Sequence, residues 1–360
     1  MSGTSLDGID AVIARLCGDR ISVLGVGRAA YDTTVRSRCL ALCRPGSDEI
    51  ETAAALAIDL AALHVQAVES ALRAAGVAAR DVIAAGVHGQ TVRHRPSAGF
   101  TIQLVDAPRI ATALGIDVVC DFRSADMALG GEGAPLVPAF HRAAFGRDDR
   151  DVAVLNLGGI ANLSLLGADG TTRGFDVGPA NVLMDAWHAR HRDGPIDHGG
   201  RWADSGRVLR ELLERCLSDP WFERPPPKST GRELFDLGWL EARLDGTEAP
   251  ADVQATLAEL TAVSVTNALA AWAPDTRTLY VCGGGAANGG LMRRLAAARG
   301  ALSVESTSAL EIPPDQVEAT AFAWLARCRL SGIPANATTV TGARRPAVLG
   351  AWHHGRPPHR

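Results

Sequence analysis

The run Met1-Ser2-Gly3-Thr4-Ser5-Leu6-Asp7-Gly8-Ile9-Asp10 decides how this chain is read. Small hydroxyl and glycine residues (Gly3, Thr4, Ser5, Gly8) alternate with two carboxylates (Asp7, Asp10), and an apolar, strand-like stretch follows at Ile9, Val12, Ile13 and Leu16. Glycine lets a backbone turn sharply and approach a ligand closely. Hydroxyls and turn amides donate to phosphate oxygens, and a neighbouring carboxylate holds the accompanying Mg²⁺, usually through water. The stretch therefore reads as a phosphate-gripping hairpin. Taken alone, it reads equally as an ordinary Ser/Gly/Asp turn.

Two further turns of the same kind support the first reading. Asn156-Leu157-Gly158-Gly159-Ile160-Ala161-Asn162 follows the apolar strand that starts at Val152. Its paired glycines let backbone amides converge on an anion, with Asn156 and Asn162 as neutral donors. Gly283-Gly284-Gly285 follows the strand Thr278 to Cys282 and precedes a helix from Asn288 to Ala298, offering a surface free of side chains to a nucleoside or phosphate. Neither GxGxxG spacing nor a Gly-Lys-Ser/Thr loop is present, so the dinucleotide and P-loop fingerprints do not apply. The first two turns, each feeding a short alternating strand, also form a weak internal echo, as a duplicated domain would.

Strand signals alternate with helical ones along the chain: strands near 9–16, 21–26, 82–87 and 116–120, and helices over 51–75, 108–114 and 253–271. This predicts an α/β protein. The 360 residues suffice for two domains, and a hydrophobic fraction of 47% beside 21% charged residues is a globular composition. A net charge of −4 leaves no electrostatic footprint for nucleic acid or an anionic membrane. No uninterrupted apolar run approaches a membrane span, and no signal-peptide pattern opens the chain. The seven cysteines are scattered and several lie in apolar runs, which reads as reduced thiols in a cytoplasmic protein. The spacing of His188 and His191 puts both rings on one helix face without a third ligand, so they read as helix-surface residues, and His353-His354 belongs to a flexible tail over 351–360.

Six motifs in order resemble the anhydro-N-acetylmuramic acid kinases: residues 1–10, His88-Gly89-Gln90-Thr91, Gly130-Gly131-Glu132-Gly133-Ala134-Pro135-Leu136-Val137-Pro138, Gly174-Phe175-Asp176-Val177-Gly178-Pro179-Ala180-Asn181, Lys228-Ser229-Thr230-Gly231-Arg232-Glu233 and Cys282-Gly283-Gly284-Gly285. The resemblance runs from residue 1 to about 350. It implies two RNase-H-like domains of the actin, sugar-kinase and Hsp70 type around an ATP cleft. The expected division is 1–130 (completed by 331–350) and 131–330. The implied activity is an ATP- and Mg²⁺-dependent opening of 1,6-anhydro-N-acetylmuramic acid by water with phosphorylation at O6, in peptidoglycan recycling, by a homodimer.

Within that resemblance Asp176 matches the catalytic aspartate, the base that activates water; read locally it is also a helix cap or turn residue. Gly3, Thr4, Ser5, Leu6, Asp7, Gly8, Ile9, Asp10, Asn156, Gly158, Gly159, Asn162, Gly283, Gly284 and Gly285 are expected to bind ATP, with Asp7 meeting the metal through water. His88, Gln90, Thr91 and Arg123 are expected at the sugar. Arg123 is the cation suited to the lactyl carboxylate, although a surface ion pair accounts for it as well, and His88 also reads as a structural histidine. Lys228 to Glu233 is expected to be a mobile charged loop, solvated by default, with contact of its cations to ligand or phosphate as the alternative, and Glu318 is expected to orient groups near the ligands.

Two departures stand out. Family members carry a short hydrophobic strand before the Met-Ser-Gly-Thr-Ser segment, so the expectation is that this 360-residue form folds poorly or binds ATP weakly. Ala180 replaces a usual glycine, which would be uncomfortable if that residue had to be left-handed. A kinase for another amino sugar and a catalytically silent nucleotide or muropeptide sensor are the rival readings.

Overall fold

The computed structural model describes residues 1–3, 6–18, 20–231, 233–298, 300 and 302–355. Strands β1 (Gly8–Cys17) and β2 (Arg20–Ala30) pair antiparallel from Gly8 opposite Ala30 to Cys17 opposite Arg20. Ser2 bridges to Ile9, while the Met1 ammonium donates to the Asp10 carbonyl at 2.6 Å. A polar helix, Thr33–Leu42, follows, its first turn capped by Asp32, whose Oδ1 accepts from the Val35 amide at 2.7 Å.

The long helix Glu49–Ala75 turns Leu56, Leu60, Ala67 and Ala71 inward. It lies unusually close to β2 because Gly25 and Gly27 stand beneath it. A Cβ on Gly25 would sit 2.5 Å from the Ala75 nitrogen, and one on Gly27 would overlap the Ala67 carbonyl. By length and mean hydropathy (1.4 over its most apolar stretch) this helix would suffice to cross a bilayer. Here its apolar stripe packs on β2 and on the helix Ala107–Leu114. Beyond it come β3 (Ala84–Gly86), the hairpin β4 (Gln90–Arg95) and β5 (Phe100–Leu104), and β6 (Asp117–Cys120), which runs parallel to β3.

The chain divides into two compact units, Met1–Ala144 with Gln316 onward, and Phe145–Asp315. The breaks fall at 144/145 and 315/316, where the sequence reads as dividing near 130 and 330. The helix Val137–Phe145 carries the chain across the first break.

The second unit is built on one five-stranded sheet. β7 (Val152–Leu157), β8 (Ile160–Leu166) and β9 (Thr172–Pro179) form an antiparallel meander. β10 (Thr278–Cys282) and β11 (Ser303–Ser306) add parallel strands on the other side of β7. The resulting order, β9-β8-β7-β10-β11, is that of an RNase-H-type sheet. β7 is a near-continuous apolar run because both of its faces are covered. The helix Pro250–Trp272 covers one face with Val253, Leu257, Leu260, Val265 and Leu269, all buried.

The returning segment rejoins the first unit through the helix Val317–Leu330 and ends in β12 (Ala351–His353), antiparallel to β6. Residues 351–355 are thus ordered where composition predicts a tail. The Trp352 indole and the Gly355 amide donate to the two oxygens of Asp117 at 2.8 and 3.0 Å. The free edge of β6 supplies hydrogen-bond partners that a proline- and arginine-rich composition does not reveal.

Candidate functional site

In the second unit the strand register brings the expected residues together. Asn156 of β7 pairs with Cys282 of β10 on one side and with Asn162 of β8 on the other. The turns Gly158-Gly159 and Gly283-Gly285 therefore leave adjacent parallel strands at the same carboxyl-terminal edge, where open α/β sheets bind ligands. Gly283 has φ +80°, and its amide donates to the Pro314 carbonyl at 2.8 Å. A Cβ there would overlap the Asn156 side chain and come within 2.8 Å of the Leu157 carbonyl, so only glycine fits. Around Gly284 the space is open.

A short 3₁₀ turn, Gly284–Ala287, comes before the helix Gly289–Ala298, so the glycines do not themselves form that helix's first turn. Asn181, which begins the helix Asn181–His191, fastens the neighbouring turn. Its Nδ2 donates to the Leu157 and Gly158 carbonyls at 3.0 and 2.8 Å, and its amide donates to the Gly158 carbonyl at 3.1 Å. Ala180 has φ −119°, so no left-handed backbone is needed at the position of the usual glycine.

Asp176 lies on β9 opposite Asn162. The loop 228–231 binds it twice: its amide donates to the Lys228 carbonyl at 3.1 Å, and its Oδ2 accepts from the Thr230 amide at 2.9 Å. Among the described residues no partner is recorded for Oδ1. Burial pushes the carboxyl up to about 6. The Glu233 carboxylate adds to that rise, while the Thr230 amide and the Lys228 ammonium oppose it. A carboxylate in this state is well placed to accept a proton near neutral pH.

Lys228 points away from any ligand role. Its Nζ donates to the Phe222 carbonyl at 3.0 Å and lies 4.4 Å from the centre of the Trp221 ring. Trp221, Phe235 and Trp239 pack edge to face at 5.3 and 5.1 Å, so the loop rests on an aromatic block. The sequence reads this segment as mobile and solvated. The aromatic residues that fix it, at 221, 222, 235 and 239, were the available signal.

In the first unit, Thr4 and Ser5 fall outside the described residues. Leu6 (φ +53°) and Ile9 turn their side chains into the core, and Ile9 is paired with Ala29 in the β1–β2 ladder, so neither side chain is offered to phosphate. Asp7 is half-exposed and accepts from Arg28 at 2.6 Å, with Asp10 3.6 Å from the same guanidinium. Gln90, 1% exposed, accepts from the Tyr31 hydroxyl at 3.2 Å and donates to the Gly3 carbonyl at 3.4 Å. It ties the hairpin to the 88–91 segment, with Tyr31 as a partner the sequence does not single out. Thr91 Oγ1 accepts from Gln103 at 3.2 Å.

Arg123 is half-buried and fixed. Nε and one terminal nitrogen donate to His88 Nε2 at 3.1 and 2.8 Å, and the other terminal nitrogen donates to the Gly133 carbonyl at 2.8 Å. The Gly133 amide is held in turn by the buried Asp126, whose other oxygen accepts from Asn336 and Thr341 at 2.7 Å each. Glu318 sits in the first turn of the helix Val317–Leu330, and its charge is felt at Arg123.

Among the described residues no group of three His, Cys, Asp or Glu side chains is placed to hold a metal ion. His188 is buried, its Nδ1 3.1 Å from the Gly194 carbonyl, and His191 stacks on Trp187 at 4.1 Å, so the pair does not converge on an ion.

The family model described as anhydro-N-acetylmuramic acid kinase matches residues 1–355. A protein of that name from Bordetella petrii is 52% identical over 359 residues, covering 98% of this chain and 94% of its own. Another, from Nitrosomonas europaea, is 47% identical over 353 residues, covering 98% and 97%. A solved structure, the activator of the 2-hydroxyisocaproyl-CoA dehydratase from Clostridium difficile with bound ADPNP, aligns over 91% of this chain and 93% of its own. Its TM-score is 0.45 and its identity 11%, a likeness too distant to argue from.

Proposed function

The chain belongs to the anhydro-N-acetylmuramic acid kinase family, and from that premise we propose how its residues carry the reaction. The protein is a phosphotransferase that acts on 1,6-anhydro-N-acetylmuramic acid with ATP as donor. The chemistry has two halves. Water attacks C1 of the bicyclic sugar, the C1–O6 bond breaks, and O6 takes the γ-phosphoryl group as the bond to ADP breaks. The water's second proton must be removed as C1–O bond formation proceeds.

Asp176 is the residue for that proton. Its burial-raised carboxyl and the Thr230 amide on Oδ2 are the observation that carries the reading, because together they leave Oδ1 as the accepting atom of a base matched to neutral pH. The turns at 158–159 and 283–285 carry backbone amides at the edge of the second unit's sheet and are assigned to the nucleotide, with Asn156 and Asn162 beside them. Residues 3–10 are assigned to the phosphates.

Mg²⁺ enters as the ion of MgATP, held chiefly by phosphate and water. Asp7, already paired with Arg28, meets it only through water. Thr91 is assigned to the sugar and Arg123 to its lactyl carboxylate, the anion a guanidinium binds with two N–H groups, while the buried Gln90, expected at the sugar, instead holds the 88–91 segment through Tyr31 and Gly3. We place the reaction in the cytoplasm, as a step in peptidoglycan recycling by a homodimer.

The test is incubation with MgATP and the anhydro sugar in ¹⁸O-labelled water, followed by mass spectrometry. The expected product is N-acetylmuramic acid 6-phosphate with the label on the anomeric oxygen. Unlabelled product, or ATP consumed without sugar phosphate, would overturn the mechanism.

A further inference from the structure

We propose that His88 is a positioning residue that sets substrate selection through Arg123, and that it does not itself bind the sugar. The inference rests on the assignment of Arg123 to the lactyl carboxylate.

A guanidinium has five N–H donors and no acceptor, so His88 Nε2, which lies within 3.1 Å of two Arg123 nitrogens, must offer its lone pair to both. That fixes the imidazole as neutral, with its hydrogen on Nδ1. Burial, and then the charge of Arg123, push its pKa down to about 3, so it stays in this form wherever the protein is folded at ordinary pH. The residue is 5% exposed, and its ring lies against Phe322 with centroids 4.7 Å apart. With its one lone pair taken by Arg123 and the residue buried, His88 has no charge to offer a carboxylate and no free acceptor for a proton.

Its position does decide what Arg123 offers. His88 takes the Nε edge, and the Gly133 carbonyl takes one N–H of the far nitrogen. Among the described residues, this leaves one N–H on each terminal nitrogen without a recorded partner. A half-buried cation that is held on two sides and retains one donor on each terminal nitrogen is a preorganised receptor for an anion with two oxygens. Asp126 fixes the second anchor by holding the Gly133 amide, so both constraints on Arg123 come from buried groups. Without the His88 lone pair the side chain regains its rotamers, and each binding event must order it again.

The experiment compares His88→Leu, His88→Gln and Arg123→Met with wild type. The substrates are 1,6-anhydro-N-acetylmuramic acid and 1,6-anhydro-N-acetylglucosamine, the same bicyclic amino sugar without the lactyl group. Where the second sugar turns over slowly, its inhibition constant is read instead. His88→Leu is expected to raise KM for the lactyl sugar about tenfold to a hundredfold with kcat within about threefold, and to leave the lactyl-free sugar unaffected. His88→Gln, whose Oε1 can stand in for the Nε2 lone pair, recovers most of the loss. Should His88→Leu fail to fold by thermal melting, His88→Asn, whose amide stops short of Arg123, replaces it.

Equal losses on both sugars, or none, in His88→Leu while Arg123→Met selectively loses the lactyl sugar would overturn the positioning role and leave the Arg123 assignment standing. If Arg123→Met does not discriminate between the sugars, the Arg123 assignment falls, and the inference falls with it.

Discussion

Asp176 works under a constraint that also shows in stability. Its folded-state pKa, about 6, lies above the ordinary carboxylate value near 4, so the folded protein holds this proton more tightly than the unfolded chain does. Stability is therefore lost as pH rises from about 4 to 6 and stays lowered above that range. Asp176→Asn keeps an oxygen for the Thr230 amide and removes the buried charge. It should abolish turnover and yet stabilise the protein at pH 7.5 by on the order of 2 kcal/mol, with no gain at pH 4. Thermal melts at both pH values check this, and a variant less stable than wild type at pH 7.5 would contradict it. At this scale the family resemblance located Asp176, but its setting was hidden. The Lys228–Thr230 clasp joins residues more than fifty positions apart through backbone atoms, and backbone atoms carry no sequence signature. Arg123 shows the same limit: its residue type pointed to a carboxylate, while its fixation by His88 emerges only from the fold.

Elements were legible where burial dictates composition. Thr278–Cys282 is an apolar run covered on both faces, and its bounds are as the sequence predicts. The helix Thr33–Leu42 went unread because it is polar on most sides and buries only Val35, Cys39 and Leu42. β12 was missed because a three-residue edge strand is defined by its partner β6 more than by its own side chains. Close packing of elements gives a further prediction. Gly27→Ala forces a methyl into the Ala67 carbonyl of the long helix and should cost about 1–3 kcal/mol in chemical denaturation, with any effect on turnover following stability. Gly283→Ala combines a left-handed backbone with overlap on Asn156 and should weaken ATP binding at least about tenfold in calorimetry, with a smaller change in Tm. Unchanged ATP affinity in a folded Gly283→Ala protein would remove these glycines from the nucleotide site.

At the scale of the whole molecule, the chain leaves its first unit at residue 144 and returns at 316. An α/β protein of two domains was legible from the alternation of strand and helix signals. The points of exchange were not, because the glycine-rich stretch at 130–133 marks a loop inside the first unit: Gly133 is bound by Asp126, which also holds Asn336 and Thr341 of the returning segment. Asp126→Ala strands three donors that it now satisfies and should cost on the order of 3 kcal/mol or more. Denaturant melts check this, and a loss below about 1 kcal/mol would show that the returning segment is held by other means. The activity of the whole protein is tested most directly by the pH dependence of kcat/KM for 1,6-anhydro-N-acetylmuramic acid in wild type, Glu233→Gln and Lys228→Met. The account predicts an acid limb with an apparent pKa near 6 in wild type, moved down when the Glu233 charge is removed and up when the Lys228 charge is removed. A profile flat down to pH 5, or a limb that neither substitution moves, would contradict Asp176 as the base.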